Sequence, residues 1–294
     1  MAAFQKKTGI KVGIRFNDED TFANEIVAEA SHPKADILYT ENSPPLEYLQ
    51  GRGLLAPVST STLAKTPKRF DSPQGDWVGV SARVSVLIYN PKRITSQELP
   101  KSVLALADPK YRGELALAPG ETDFQPIVTS VERAYGRAKT LTWLHGLQAN
   151  SAGHQYPDNE TIADEVNRGA AGFGIVDQYY WYRLGAEIGR SNVHSKLSYF
   201  APRDPGYVID VSGAAVLKSS RRRKAVEKFL AFLVSRQGQE IIAHSLSFEY
   251  PLDDGVPPPA GETPFDALKP NPVTIAQLGD GSSAISLLQQ AGLL

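Results

Sequence analysis

The chain has 294 residues, enough for a large core and close to the size at which chains divide into two domains. Apolar residues make up 41% and charged residues 21%, an ordinary globular composition and not that of a disordered chain. A net charge of -1 with no long run of one sign argues against a basic nucleic-acid-binding face, and the absence of cysteine excludes disulfides, zinc–thiolate sites and cysteine nucleophiles.

"MAAFQKKTG" reads as the last turns of a helix, with Lys6 and Lys7 near its end and Gly9 as a left-handed cap. Such a helix is expected to begin further upstream, so residues are expected to precede this sequence. Met1 to Gln5 carry no basic-then-apolar signal pattern. "IKVGIRF" alternates Ile10, Val12, Ile14 and Phe16 with Lys11, Gly13 and Arg15, which predicts a strand with one buried face. "NDED" then offers N-caps for a helix whose Phe22, Ile26, Val27 and Ala30 fall at helical spacing. "ADILYT" (35–40) predicts a short strand, and "ENSPPLEYLQGRGLL" a turn into a short helix ending near Gly51 or Gly53. This rhythm implies parallel strands in an α/β layered fold.

Residues 56–76 read as irregular, and "WVGVSARVSVLIYN" (77–90) as a strand long enough to pass between two lobes. "GELALA" (113–118) predicts a strand, and 124–148 a pair of helices broken at Gly136. A short helix over 159–169, a buried strand over 171–176 and a second long strand-like run over 206–217 follow. "SSRRRK" (219–224) opens an amphipathic helix through Val226, Phe229, Leu230 and Leu233, and Arg221, Arg222 and Arg223 read as its solvated start. Residues 253–272 read as a Pro-rich surface excursion, Asp253 and Asp254 as a turn, and Ile285 to Leu294 as a closing helix. No segment approaches the ~20 apolar residues that span a bilayer. The two long runs predict two lobes joined by crossing strands, with a ligand cleft between them. One lobe takes 1–82 plus 211–255, the other 83–210 plus 270–294.

"GAAGFG" (169–174) has the wrong spacing for a dinucleotide fingerprint, and neither a phosphate loop nor a nucleophile elbow occurs. His32, His145, His154, His194 and His244 show no zinc spacing and read as surface or packing residues. "DQYYWYRL" (177–184) is harder to dismiss. In a continuing strand Tyr179 and Tyr180 would face opposite sides; at a strand-to-helix junction capped by Asp177 they diverge by only ~100°. A helix N-terminus would then lower their phenol pKa values, and paired phenolates suit a hard cation, ferric iron above all. The alternative is that both tyrosines pack beneath a lobe with Trp181 and Tyr182. Glu41, directly after "ADILYT", is either a third oxygen ligand from the facing lobe or a helix N-terminal charge. Arg83, inside an apolar strand, needs a partner: an anion in the cleft or an internal carboxylate.

"AFQKKTGIKV", "ADILYTENSPPLEYLQGRGLL", "WVGVSARVSVLIYN", "LAPGETDFQ" and "DQYYWYRL" together resemble the ferric-iron-binding periplasmic proteins, from residue 1 to about 250. The resemblance implies a two-lobed α/β periplasmic-binding-protein fold of class II and a non-enzymatic, monomeric substrate-binding component of an iron ABC transporter. It implies an extracytoplasmic location, with or without a lipid anchor, and delivery of Fe(III) to a membrane permease. Tyr179, Tyr180 and Glu41 would be the iron ligands. Arg83 and Asn159 would lie by a synergistic anion. Relatives usually begin with a further strand and a "GxH"-type loop that supplies another ligand, which this sequence does not contain. Their anion loop is often small and neutral, whereas this one carries Glu121, Thr122 and Asp123, and Asp177 stands where Asn is common. Added carboxylates repel an anion, or serve as ligands themselves. Two rivals stand beside this reading. A polyamine-binding protein of the same fold would use Tyr179, Tyr180 and Trp181 as walls with Glu41, Glu121, Asp123 and Asp177. A hydrolase would use the Glu121/Asp123 pair.

Overall fold

The computed structural model describes residues 1–29 and 34–294. Helix α1 (Ala2–Thr8) ends at Gly9, whose φ of 71° is the left-handed cap its sequence announces. Phe4 is its anchor, packed on Phe229 and Phe232 at ring separations of 5.0 and 5.5 Å. Residues 10–16 form no strand. Ile14 is 49% and Phe16 89% exposed, and no described strand hydrogen-bonds to them, so the alternating pattern has nothing to pair with. Helix α2 (Glu19–Glu29) buries Ala23 and Ile26; Ala30 and His32 lie outside the described residues.

Strand β1 (Ile37–Thr40) runs into α3 (Pro44–Gly51), whose prolines occupy the first turn, where no amide proton is required. After β2 (Leu55–Ala56) and α4 (Thr60–Leu63) comes β3 (Trp77–Tyr89), thirteen residues buried without interruption. Its first part pairs antiparallel with β7 (Ile209–Leu217), from Trp77–Ala215 to Val84–Ile209. From Ser85 its partner becomes β5 (Phe173–Asp177), and β6 (Lys196–Ser198) pairs along Leu87–Tyr89. One strand therefore belongs to two sheets, with the change of partner between Val84 and Ser85. The second long run begins in a turn, before the strand: Gly206 and Val208 are held to Ser85 through its hydroxyl and amide.

The strand order is β1-β7-β3-β5-β4, with β4 spanning Leu115–Ala116, and β8 (Tyr250–Pro251) pairs with β3. Among the described strands only β4–β5 is a parallel pair; β1, β2, β6, β7 and β8 all pair antiparallel. The expectation of parallel strands from local alternation fails because β1's neighbour comes late in the chain. Sequential strand and helix signals do not say which strand will lie alongside.

Helices α5 (Phe124–Tyr135) and α6 (Arg137–Asn150) flank Gly136 as expected, and α7 (Asn159–Arg168) precedes β5 and α8 (Gln178–Ile188). The remaining helices are α9 (Arg223–Leu233), α10 (Arg236–Ala243), α11 (Ile275–Leu278) and α12 (Ser282–Gln290). Arg221, Arg222 and Arg223 are exposed at the start of α9. The Pro-rich segment 253–272 is more than a surface excursion. Tyr182 Oη donates to Gly261 O (2.9 Å), Tyr199 Oη bonds Thr263 Oγ1 (3.2 Å), and Phe265 packs on Phe70 and Tyr250. Apolar and hydroxyl anchors, invisible to a composition-based reading, pin it across both sheets.

Candidate metal centre

The β5–α8 junction sets the site. Gly174 lets β5 lie close to its neighbours: a Cβ there would come within 2.5 Å of Ile162 Cγ2 and 3.1 Å of Ala116 O. Asp177 occupies the N-cap position but makes no capping bond. Gln178 ties the helix start to β3 by accepting from Val84 N (2.8 Å), and it donates to Phe248 O (3.1 Å). Tyr179 and Tyr180 follow in the first turn, both buried, with ring centroids 4.1 Å apart and planes 33° from parallel. Tyr179 Oη donates to Glu41 Oε2 (3.3 Å) and Tyr180 Oη to Asp123 Oδ2 (2.8 Å). Trp181 turns away and donates to Ser195 O (3.1 Å).

The expected lowering of the phenols is not the net result. Burial, and then Asp123, hold Tyr179 and Tyr180 well above the usual tyrosine value; Arg83 opposes this at Tyr179 without prevailing. Both are protonated donors in the metal-free chain. Asp177 is raised as well, by burial first and Asp123 next.

Glu41 follows β1 and keeps its side chain 57% exposed. Its backbone is fixed by Glu19, the first residue of α2, whose carboxylate accepts from the amides of Glu41 (2.7 Å) and Asn42 (3.0 Å) and from Asn42 Nδ2 (2.8 Å). Burial pushes Glu19 up to about 8 against those donors. Asp123 sits at the N-cap position of α5 without capping it. Its carboxylate instead accepts from Asn42 Nδ2 (2.7 Å), Asn159 Nδ2 (2.9 Å) and Tyr180 Oη.

Arg83 is fully buried on β3. An internal carboxylate, one of its two expected partners, is in place: Nη2 pairs with Glu249 and donates to Ser212 Oγ (2.6 Å). Nη1 lies 3.9 Å from Glu41 Oε2 and 3.7 Å from Asp123 Oδ1.

The structure thus gathers Tyr179, Tyr180, Glu41, Asp123, Arg83 and Asn159 at one point. Thr122 and Glu121 stand at its edge. Thr122 donates to Asp20 Oδ2 (3.3 Å), and Glu121, half-buried, is pushed up to about 8 by burial and then by Asp123. Among the described residues no three His, Asp or Glu side chains form a metal-holding group, so the phenols are what make this cluster a candidate. Two phenols and two carboxylates are a hard, all-oxygen donor set, which fits a trivalent cation. Sequence reasoning missed Glu249, Glu19 and Asn42. The demand that Arg83 find a partner pointed at a carboxylate without saying which, and nothing in the sequence singles out Glu19. Arg183, directly after the tyrosine run, lies with its guanidinium 4.3 Å from the Tyr179 ring centre and bonds Glu160 at 3.4 Å.

Residues 32–269 match the family described as bacterial extracellular solute-binding protein. The Fe(3+)-binding periplasmic protein of Serratia marcescens is 35% identical over 99% of this chain and 85% of its own length. The major ferric iron-binding protein of Neisseria meningitidis is 34% identical over 99% of this chain and 88% of its own. Iron-bound HitA from Pseudomonas aeruginosa superposes with a TM-score of 0.92 at 39% identity, covering 99% of this chain and 94% of that one. All three are binding proteins, and the two-lobed α/β fold is the one they share. The chain belongs to the bacterial extracellular solute-binding proteins, among the ferric-iron-binding periplasmic members of that family.

Proposed function

We propose that this protein is the substrate-binding component of an ABC transporter, that it binds Fe(III) through Tyr179, Tyr180 and Glu41, and that it hands the ion to a membrane permease. The observation that supports this most is the close, tilted phenol pair, with each hydroxyl seated on a different carboxylate. Asp123 adds a fourth oxygen where an external anion would otherwise be needed, and Asn42 and Asn159 hold it in place. On a division into lobes of 1–82 plus 211–255 and 83–210 plus 270–294, Glu41 and the tyrosines would approach the ion from opposite sides.

The chemistry follows from the protonation states. A ferric ion displaces the phenol protons, and Glu41 and Asp123, relieved of those hydrogen bonds, turn their oxygens to the metal. Phenolates and carboxylates then leave one negative charge in excess, and the Arg83 guanidinium, 3.9 Å from Glu41 and 3.7 Å from Asp123, lies beside it. The protein would act as a monomer outside the cytoplasmic membrane; no described helix is long and apolar enough to cross one. The polyamine reading loses its third aromatic wall, because Trp181 faces Ser195.

The test is a visible absorption titration of metal-free protein with ferric citrate, on wild type and on Tyr180→Phe. A phenolate-to-iron band that grows to one equivalent and shifts or weakens in the variant is the expected result. A folded wild type that stays colourless, yet is stabilised against heat by spermidine, would overturn the ferric reading.

A further inference from the structure

Arg83 presents an unusual geometry for a buried guanidinium. Its Nη2 is fully engaged, while Nε and Nη1 have no hydrogen-bond acceptor. Nη1 faces Glu41 and Asp123 at 3.9 and 3.7 Å, beyond hydrogen-bond distance of both. A guanidinium so close to two carboxylates would ordinarily turn and take one of them through two parallel N–H···O bonds. Here it is prevented from turning. Glu249, at the entrance to β8 and 6% exposed, holds Nη2. Glu249 is itself fixed by hydroxyl donors from two strands, Ser81 Oγ on β3 (2.7 Å) and Ser212 Oγ on β7 (2.9 Å).

We infer that Glu249 is a positioning residue for metal binding: by occupying one edge of Arg83 it keeps the cation near Glu41 and Asp123 without letting it capture either. The cation then offsets negative charge in the site while both carboxylates stay free to turn to the metal. Removing the Glu249 charge releases Arg83 to form a forked pair with Glu41 or Asp123, and a ligand is lost to an internal salt bridge. This rests on the ferric reading for what the carboxylates are kept available for, but the restraint on Arg83 exists without any metal.

The experiment compares wild type, Glu249→Gln, Glu249→Asp, Arg83→Met and the Arg83→Met/Glu249→Gln pair. Ferric affinity is measured by competition with citrate. The Arg83 guanidinium is followed by arginine-selective nitrogen-15 NMR of the metal-free protein, its signal identified by its loss in Arg83→Met. Glu249→Gln should bind iron about 10- to 100-fold more weakly, the range for residues that orient ligands, and should move the Arg83 signal. Glu249→Asp should recover most of the affinity. In the Arg83→Met background Glu249→Gln should cost nothing further, which a merely structural role would not produce. Wild-type affinity in a folded Glu249→Gln, an unmoved Arg83 signal, or additive effects of the two substitutions would each overturn the inference. If the wild type binds no iron while the Arg83 signal still moves, the ferric reading fails and the restraint on Arg83 stands.

Discussion

Tyr179 and Tyr180 are adjacent, in ring contact and both protonated, yet their hydroxyls are bound with different strength. Tyr180 donates to Asp123 at 2.8 Å inside a buried network, whereas Tyr179 reaches Glu41, which is 57% exposed, at 3.3 Å. Tyr180→Phe should therefore cost the metal-free protein about 1 kcal/mol in urea unfolding, and Tyr179→Phe close to nothing. Both should shift or weaken the iron band on the proposed ligand set, so the contrast in stability separates the two positions. The raised phenol values also fix the direction of the pH response. Because the metal-free site holds the protons and the metal must displace them, affinity rises with pH and falls on acidification. Chelator competition at several pH values should give a logarithmic slope of about two, one proton per phenol. A slope near zero would mean that the phenols do not ligate.

At the scale of elements, the segment 253–272 is the piece whose behaviour is least evident from its composition. Its Glu262 is buried, and that burial pushes the carboxyl from 4.5 up to about 8. A raised acid binds its proton more tightly when folded, so its stabilising contribution is full below the unfolded value of 4.5 and is lost as pH climbs through about 8. Glu19 and Glu121 act in the same sense, so the useful measurement is a difference. Glu262→Gln should lose less stability than wild type between pH 5 and pH 9 in urea unfolding. Equal losses would show that Glu262 is ionised throughout. The strand β3, the strand-to-helix turn at 177–178 and the two helices around Gly136 were legible because their signals are local: an unbroken apolar run, a period, a glycine stop. The strand expected at 10–16, the strand directions and the anchoring of 253–272 depend on partners far away in the chain, and local periodicity carries no information about those. The same division holds within the site. Tyr179, Tyr180 and Glu41 stand at the ends of recognisable elements, whereas Glu249 and Glu19 matter only because of which backbone or guanidinium reaches them.

Taken whole, the molecule closes its cleft through polar contacts between the residues around α2 and β1 and those around α5 and α8. Asn42 bonds Asp123, Tyr179 bonds Glu41, and Thr122 and Gln125 both bond Asp20. Asp20→Ala removes two of these without removing a hydrogen bond to a proposed ligand. It should speed iron release to a chelator several-fold while leaving the absorption band unchanged. A shifted band would mean that the substitution reaches the ligands themselves.

Gln178 carries a mechanical consequence. Its side chain bonds the amide of Val84, at the point where β3 leaves one sheet for the other, and the tyrosines follow it directly in α8. The tyrosine-bearing helix is thus anchored where β3 changes sheets, whereas Glu41 follows β1, which pairs with β7. On the proposed ligand set, a swing of the two lobes about that point would part Glu41 from the ion before the phenolates, and release would follow a fixed order.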